Sequence, residues 1–113
     1  MNNKKSNKKL SKPTDQRLLR SLSISLVLND TIVTTTPRAK QVVSFLESII
    51  TKAKTDTVHN RREVFKSINN KDFVKRIFEK ATSYTDRPGG YIRIQKCGFR
   101  KGDSAEVSQL QFV

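Results

Sequence analysis

The stretch that decides the fold is residues 36–53, which read TPRAKQVVSFLESIITKA. Thr36 is a typical helix N-cap residue, and Pro37 suits the first helical position because its fixed φ angle matches the helix. The apolar residues that follow recur at intervals of three and four, the spacing of one helix face. They are Ala39, Val42, Val43, Leu46, Ile49, Ile50 and Ala53. This pattern predicts a long amphipathic helix that forms the spine of the hydrophobic core.

A helix and a strand are predicted before this spine. Leu19, Leu22 and Leu26 lie at helical spacing, and Asn29-Asp30 is a typical end for such a helix. The run Thr31–Thr35 consists entirely of β-branched residues. Because branching at Cβ restricts side-chain rotamers in a helix and suits a pleated sheet, this run favours a short strand.

Two more helices are predicted after the spine. Val64, Phe65 and Ile68 follow Asp56-Thr57, which is a typical helix start, and they indicate a short third helix. Asn70 is then the N-cap of a fourth helix. The apolar face of that fourth helix comprises Phe73, Val74, Ile77, Phe78 and Ala81.

A β-hairpin is predicted at the carboxyl end of the sequence. Residues 91–100 and residues 106–113 both alternate in polarity, and Lys101-Gly102-Asp103 between them has turn composition. One side of the second alternating run consists of Ser108, Leu110 and Phe112.

These elements predict an α+β fold, arranged as a two-layer sandwich in the order helix, strand, three helices, two strands. The three strands form one small sheet with the helices on one face. The predicted organisation is a basic N-terminal arm at residues 1–13 and a single globular domain at residues 14–113. A chain of 113 residues is long enough to close one hydrophobic core.

The charge balance points to a polyanionic partner. The sequence holds 23 Lys and Arg against 10 Asp and Glu, which gives a formal net charge of +13. The arm is rich in lysine and has almost no apolar surface, so packing cannot offset the entropy of ordering it. We therefore expect a mobile arm that orders on an anionic partner such as RNA; the alternative is a solubility or targeting tail.

Several function classes are not expected. No apolar run approaches the length of a membrane span, and the polar start at residues 1–5 lacks the apolar centre of a signal peptide. Cys97 is the single cysteine and His59 the single histidine, so no disulfide, zinc cluster or nucleophile–base pair is predicted. We expect no catalytic residues, no metal, no cofactor, no membrane and no small-molecule substrate, and a reducing compartment.

The stretch Arg87-Pro88-Gly89-Gly90-Tyr91-Ile92-Arg93 predicts a candidate RNA contact. Strand alternation would put Ile92 and Ile94 toward the helices. The opposite, exposed face would then carry Tyr91, Arg93, Gln95, Cys97 and Phe99. Tyrosine offers a stacking surface and arginine a planar group for phosphates or bases. The alternative is an ordinary Gly-Gly turn that leads into a structural strand.

Arg61-Arg62 is a second candidate contact. Arginine near a helix start opposes the helix dipole unless an anion lies close by. Adjacent helical residues point about 100° apart, so one arginine can pair locally while the other reaches a phosphate. The alternative is that one is solvated and the other forms a salt bridge with Glu63 or Asp56.

The order of these motifs resembles one family, the bacterial-type large-subunit ribosomal protein number seventeen. The resemblance covers nearly the whole chain and is most specific in its last block. Its early carriers are Lys4-Lys5-Ser6 with Lys8, Leu10 and Lys12, then Thr34-Thr35-Thr36, Ala39-Lys40, and residues 50–54. Its later carriers are Arg61-Arg62, residues 89–94, Lys96, Gly98, Arg100, Gly102-Asp103 and Ala105.

The resemblance implies a structural protein without catalytic activity, bound to large-subunit ribosomal RNA near the exit of the nascent-chain tunnel. Its implied neighbours are the ribosomal proteins numbered thirty-two and twenty-two. The implied location is the ribosome, in a bacterial cytoplasm or an organelle. The chain departs from the family at Thr14-Asp15, where a His-Arg pair is usual, and at Asn29-Asp30, where a His-Glu pair is usual.

The expected RNA-binding residues combine the basic arm, the basic family motifs and the strand opening. They are Lys4, Lys5, Lys8, Lys9, Lys12, Arg17, Arg20, Arg38, Lys40, Lys54, Arg61, Arg62, Arg87, Tyr91, Arg93, Lys96, Arg100 and Lys101. The same charges would also suit a free-standing basic protein that regulates or organises nucleic acid, and that function is the alternative.

Overall fold

The computed structural model describes residues 13–113, with side chains from Gln16 onward. The predicted arm, apart from Pro13, lies outside the described residues, as does the side chain of Asp15. The described chain forms four helices and three strands. In order they are α1 (Pro13–Asn29), β1 (Thr31–Thr35), α2 (Thr36–Ala53), α3 (Val58–Ser67), α4 (Lys71–Thr82), β2 (Ile92–Phe99) and β3 (Glu106–Phe112). The predicted α+β fold and its element order are confirmed.

Helix α2 is the spine of the core, as its spacing predicts. Its seven predicted apolar positions are buried apart from Val43, which packs against the core from its edge. Pro37 lies in the first turn of the helix. The prediction that Thr36 is the N-cap is wrong, because Thr35 holds that position. The Thr36 hydroxyl instead forms a buried hydrogen bond of 2.8 Å with the hydroxyl of Ser108, which ties the helix start to the sheet.

The ends of the other helices follow local side-chain chemistry. The Thr57 hydroxyl accepts a hydrogen bond from the Asn60 amide at the start of α3, and the Asn70 side chain accepts one from the Phe73 amide at the start of α4. Helix α1 ends at Asn29, as predicted, and Asp30 takes a left-handed φ of 70°. The side-chain oxygens of Thr57 and Asn70 thus satisfy backbone amides that a helix start leaves unpaired.

The three strands form one antiparallel sheet in the order β1-β3-β2, so β3 lies in the middle. Leu110 of β3 pairs with Ile32 on one side and with Ile94 on the other. Leu110 is fully buried and both isoleucines pack against the core, so this row of the sheet faces the helices. The prediction that Ser108, Leu110 and Phe112 lie on one side of the strand is confirmed, and that side faces the helices; the predicted inward direction of Ile92 and Ile94 is confirmed as well.

A bulge interrupts the pairing of β2 with β3. Lys96 pairs with Ser108 and Gly98 pairs with Val107, so Cys97 is an extra residue on β2. An extra residue reverses the alternation of the side chains beyond it. The prediction that Phe99 shares a face with Arg93 is therefore wrong, because beyond the bulge Phe99 pairs with Glu106 on the opposite face.

Candidate nucleic-acid interface

The basic side chains of the described residues fall into two groups, those with a carboxylate within salt-bridge distance and those without. The first group comprises Lys52, Arg61, Lys66, Lys80, Lys96 and Arg100. Six of the carboxylates in residues 16–113 make close contacts within the protein: five form these salt bridges, and Glu47 accepts the Tyr91 amide. Cations without such a partner therefore supply most of the exposed positive charge.

Arg61 and Arg62 have different surroundings. The Arg61 guanidinium donates to both carboxylate oxygens of Asp56, at 2.6 and 2.9 Å, and lies 4.7 Å from the centre of the Phe78 ring. The hydrogen bonds from Arg61 lower the pKa of the Asp56 carboxyl below its usual range. Arg62 is exposed and has no carboxylate within 4.0 Å among the described residues. The structure thus has Arg61 paired locally and leaves Arg62 free to meet an external anion.

A groove of about 840 Å³ lies between α3 and α4. Its apolar part includes Val58, Phe65, Val74 and Phe78, of which Val58 is 66% exposed. Four cations on its rim come from the two helices at a spacing of four residues. They are Arg62 and Lys66 on α3, and Lys71 and Lys75 on α4. Residues four apart lie on one helix face, so the fold gathers these charges along the two sides of the groove.

Of these four rim cations, only Arg62 is among the residues that the sequence predicts to bind RNA. The signal for the others is present in the chain, since Lys71 and Lys75 fall at the positions of α4 that its apolar face leaves exposed. Lys66 carries a weaker signal, because Glu63 at 3.5 Å from its ammonium partly neutralises it.

Tyr91 is fully buried, and the prediction that it lies on the exposed face of the sheet is wrong. It lies just before β2, so strand alternation does not govern its direction. Its ring packs against Tyr84 with 5.0 Å between ring centres, and its hydroxyl donates to the Arg87 carbonyl at 3.1 Å. Its amide donates to Glu47 of α2 at 3.1 Å. Tyr91 therefore anchors the start of β2 to the helices.

Lys54 and Arg87, both expected to bind RNA, surround this tyrosine. The Lys54 ammonium donates to the Arg87 carbonyl and lies 4.9 Å from the centre of the Tyr91 ring. The Arg87 guanidinium donates to the carbonyls of Gly90 and Val113, each at 3.3 Å. Gly90 has a φ of +69°, a left-handed angle that glycine adopts without steric cost. In this structure Lys54 and Arg87 therefore stabilise the loop in which Gly90 makes the turn.

The remaining expected cations lie at separate places on the surface. Arg93 is exposed on the outer face of the sheet, beside Gln111 of β3. Arg17 and Arg20 are exposed on α1, while Arg38 and Lys40 lie near the start of α2, in a first turn without acidic residues. Positive groups at this end of a helix oppose its dipole, and a bound phosphate would relieve that repulsion.

Lys96, Arg100 and Lys101 belong to the end of the hairpin. Lys96 lies 3.8 Å from Glu106, and Arg100 donates to Asp103 at 2.7 and 3.3 Å. The Asp103 carboxylate also accepts the Ala105 amide at 3.1 Å. The Arg100 hydrogen bond, helped by this amide, lowers the pKa of Asp103 to about 2. Lys101 is exposed and has no carboxylate within 4.0 Å in residues 16–113.

A titration tests this arrangement of the hairpin end. The folded-state pKa of Asp103 is below its ordinary value of 3.8, so the pairing is present above that value and is lost as pH falls through about 2. We expect the Asp103 carboxyl carbon to titrate by NMR with a midpoint near 2, and Arg100→Gln to return it toward 3.8. An unchanged midpoint in the variant would contradict the Arg100 contact.

His59 and Cys97 are both exposed. His59 lies in the first turn of α3, and the Cys97 thiol donates to the Gln95 carbonyl at 3.5 Å within its own strand. In the part of the chain that the structure describes, no three His, Cys, Asp or Glu side chains converge as a metal site would need. Over the same residues, no helix has both the length and the apolar composition to cross a bilayer.

Comparison with known proteins gives one family over nearly all of the described fold. A family model for Ribosomal protein L17 matches residues 18–113. The chain is 48% identical to the large ribosomal subunit protein bL17 of Dictyoglomus turgidum over an alignment of 116 residues that covers all of both chains. It is 47% identical to the protein of that name from Dictyoglomus thermophilum, again over both full lengths. The identity to that of Gemmatimonas aurantiaca is 39%, over all of this chain and 98% of the relative.

Proposed function

The chain belongs to the ribosomal protein L17 family, and on that premise we propose that it is a structural constituent of the large ribosomal subunit that binds the subunit's RNA. The observation that carries this proposal is the match over the full length of relatives named as large-subunit proteins. A match of that extent includes every helix and strand of the fold, so it concerns the whole domain.

The distribution of charge supports RNA as the ligand. Acidic side chains of the described residues are largely used in local contacts, while exposed cations such as Arg62, Lys71, Lys75 and Lys101 have no carboxylate within 4.0 Å there. Ribosomal RNA supplies closely spaced phosphates that neutralise such cations and release counterions. Phosphate contacts position a protein on its RNA without sequence reading, which suits a structural role.

The family resemblance also supports a finer placement. We propose a site near the exit of the nascent-chain tunnel, beside the ribosomal proteins numbered thirty-two and twenty-two, in the ribosomes of a bacterial cytoplasm. A cross-linking map of the intact particle tests this placement, because cross-links to those two proteins are expected and cross-links confined to other proteins would overturn it.

Sedimentation of a cell lysate tests the proposed function itself. We expect the protein to comigrate with the large subunit at moderate salt and to be released only as the salt concentration rises. A soluble pool at the top of the gradient would instead support a free-standing basic nucleic-acid-binding protein. An RNA-acting enzyme would require an activity that disappears on substitution of His59 or Cys97, and we propose that the protein has none.

A further inference from the structure

Phe99 is the most exposed large apolar side chain of the described residues, with 72% of its surface accessible. It is the last residue of β2, at the point where the hairpin leads into its turn. An aromatic ring left in water at the end of a strand forgoes the burial that usually stabilises such a residue. Its exposure leaves the ring accessible to a ligand that would cover it.

The backbone next to Phe99 sets its direction. The extra residue Cys97 shifts the register so that Phe99 lies opposite Glu106. Gly98, which lies between Cys97 and Phe99 in the chain, has a φ of +113°. A side chain at position 98 would be strained by that angle, although no neighbouring atom lies within 4 Å of where its Cβ would stand. The bulge therefore needs glycine for its conformation, and its effect is to redirect Phe99.

The turn beyond Phe99 is held in one conformation by its own hydrogen bonds. The Arg100 amide donates to the Ala105 carbonyl at 2.7 Å, and the Ser104 amide donates to the Arg100 carbonyl at 3.0 Å. The Arg100 side chain and the Ala105 amide both bind Asp103. Because the turn is ordered in advance, a ligand that covers Phe99 spends little of its binding free energy on ordering the protein.

The charges near Phe99 decide the class of ligand. Lys96 lies on the same face of β2, and Arg100 and Lys101 follow directly in the chain. Lys101 has no carboxylate within 4.0 Å among residues 16–113. An aromatic ring beside cations matches a nucleotide, whose base has a flat apolar face and whose phosphate is anionic. Lys96 is paired with Glu106 and Arg100 with Asp103, so a purely apolar protein segment would leave Lys101 without a partner.

We propose that Phe99 is a stacking platform for an unpaired base of the large-subunit RNA, with Lys101 on a phosphate next to that base. This inference rests on the proposed function and adds to it a residue that the basic pattern of the sequence does not identify. It also gives the bulge at Cys97 and Gly98 a role, since a regular strand would place Phe99 on the opposite face.

The test measures binding of the full chain to deproteinised large-subunit RNA at several salt concentrations. We expect Phe99→Ala to weaken binding about 10- to 100-fold at every salt concentration, because stacking is not an ionic contact. The slope of log K against log salt should stay unchanged in this variant. Phe99→Trp should bind as the unmodified protein does, and Phe99→Leu should behave like Phe99→Ala, because leucine lacks a π face.

Lys101→Gln is the matched control, since it removes a neighbouring charge and leaves the ring. It should reduce the salt slope by roughly 0.7 to 0.9, the contribution of one phosphate. Unchanged thermal midpoints in all variants establish that exposed substitutions leave the fold intact. Normal binding by Phe99→Ala alongside a reduced slope for Lys101→Gln would overturn the stacking platform and leave the proposed function standing.

Two further outcomes are decisive. Normal binding by Phe99→Leu would overturn stacking, because it would make the contact apolar rather than aromatic, as for a protein partner. If the unmodified protein shows no binding and no salt dependence with this RNA, the proposed function fails and the stacking platform fails with it.

Discussion

Tyr91→Ala is expected to lower the free energy of unfolding by about 3 to 5 kcal/mol, the range for removing a large buried aromatic ring. The ring is fully buried against Tyr84, and the loop that Arg87 and Gly90 form closes over it. Urea unfolding followed by circular dichroism measures the change.

Two companion variants separate the causes of this loss. Tyr91→Phe keeps the ring and removes only the bond to the Arg87 carbonyl, which Lys54 also contacts, so we expect a loss of about 1 kcal/mol. Arg93→Ala, two residues later on the outer face, should stay within about 0.5 kcal/mol of the unmodified protein. A stable Tyr91→Ala protein that is easily washed from the large subunit would contradict the buried position and restore an RNA-facing one.

Neutralising the rim of the α3–α4 groove is expected to have the largest effect on RNA binding. If the protein makes about six to ten phosphate contacts, its affinity for large-subunit RNA falls roughly 10³- to 10⁵-fold between 50 and 200 mM salt. Changing Arg62, Lys66, Lys71 and Lys75 together to glutamine should reduce the slope of log K against log salt by about 2 to 4. The range allows for Lys66, which Glu63 already partly neutralises.

Lys52→Gln is the control for this variant. Its ammonium lies 4.0 Å from Glu63, so it already has a carboxylate nearby, and its removal should change the slope by less than the removal of Arg62, Lys71 or Lys75 does. Salt titrations of both variants by filter binding measure the difference. Equal slopes for the rim variant and the unmodified protein would place the RNA elsewhere on the surface.

The helices of this protein were predictable from the sequence because their signals are local. The spacing from Ala39 to Ala53 and the cap at Asn70 depend on residues one or two turns apart, and the structure confirms both. Thr36 shows where such reasoning stops, since its hydroxyl bonds to Ser108, a residue far along the chain. A rule for helix starts that considers only neighbouring residues does not take that distant partner into account.

The candidate site was less predictable than the fold. Tyr91 and Phe99 were placed by strand alternation, which holds only where the strand is regular. Tyr91 precedes the strand and Phe99 follows the bulge, so alternation gives the wrong direction for both. Both errors occur next to a glycine with positive φ, Gly90 in one case and Gly98 in the other. Strand alternation should therefore not be extended across such a glycine when side-chain directions are predicted.

The strand order β1-β3-β2 has a consequence for the order in which the chain folds during its own synthesis. Translation produces β1 and β2 before β3, yet each of them pairs only with β3 in this sheet. The helices can form from nearby residues as they emerge. The strand Thr31–Thr35 cannot pair until β3 has been made, more than 70 residues later. The separation of 72 positions between Thr36 and Ser108 illustrates this distance. In a copy whose translation stops before Glu106, β1 and β2 therefore both lack the strand that pairs with them, and unpaired strands are sites of aggregation. Only a copy translated through β3 can assemble the three-stranded sheet, in which β3 pairs with one edge of β1 and one edge of β2.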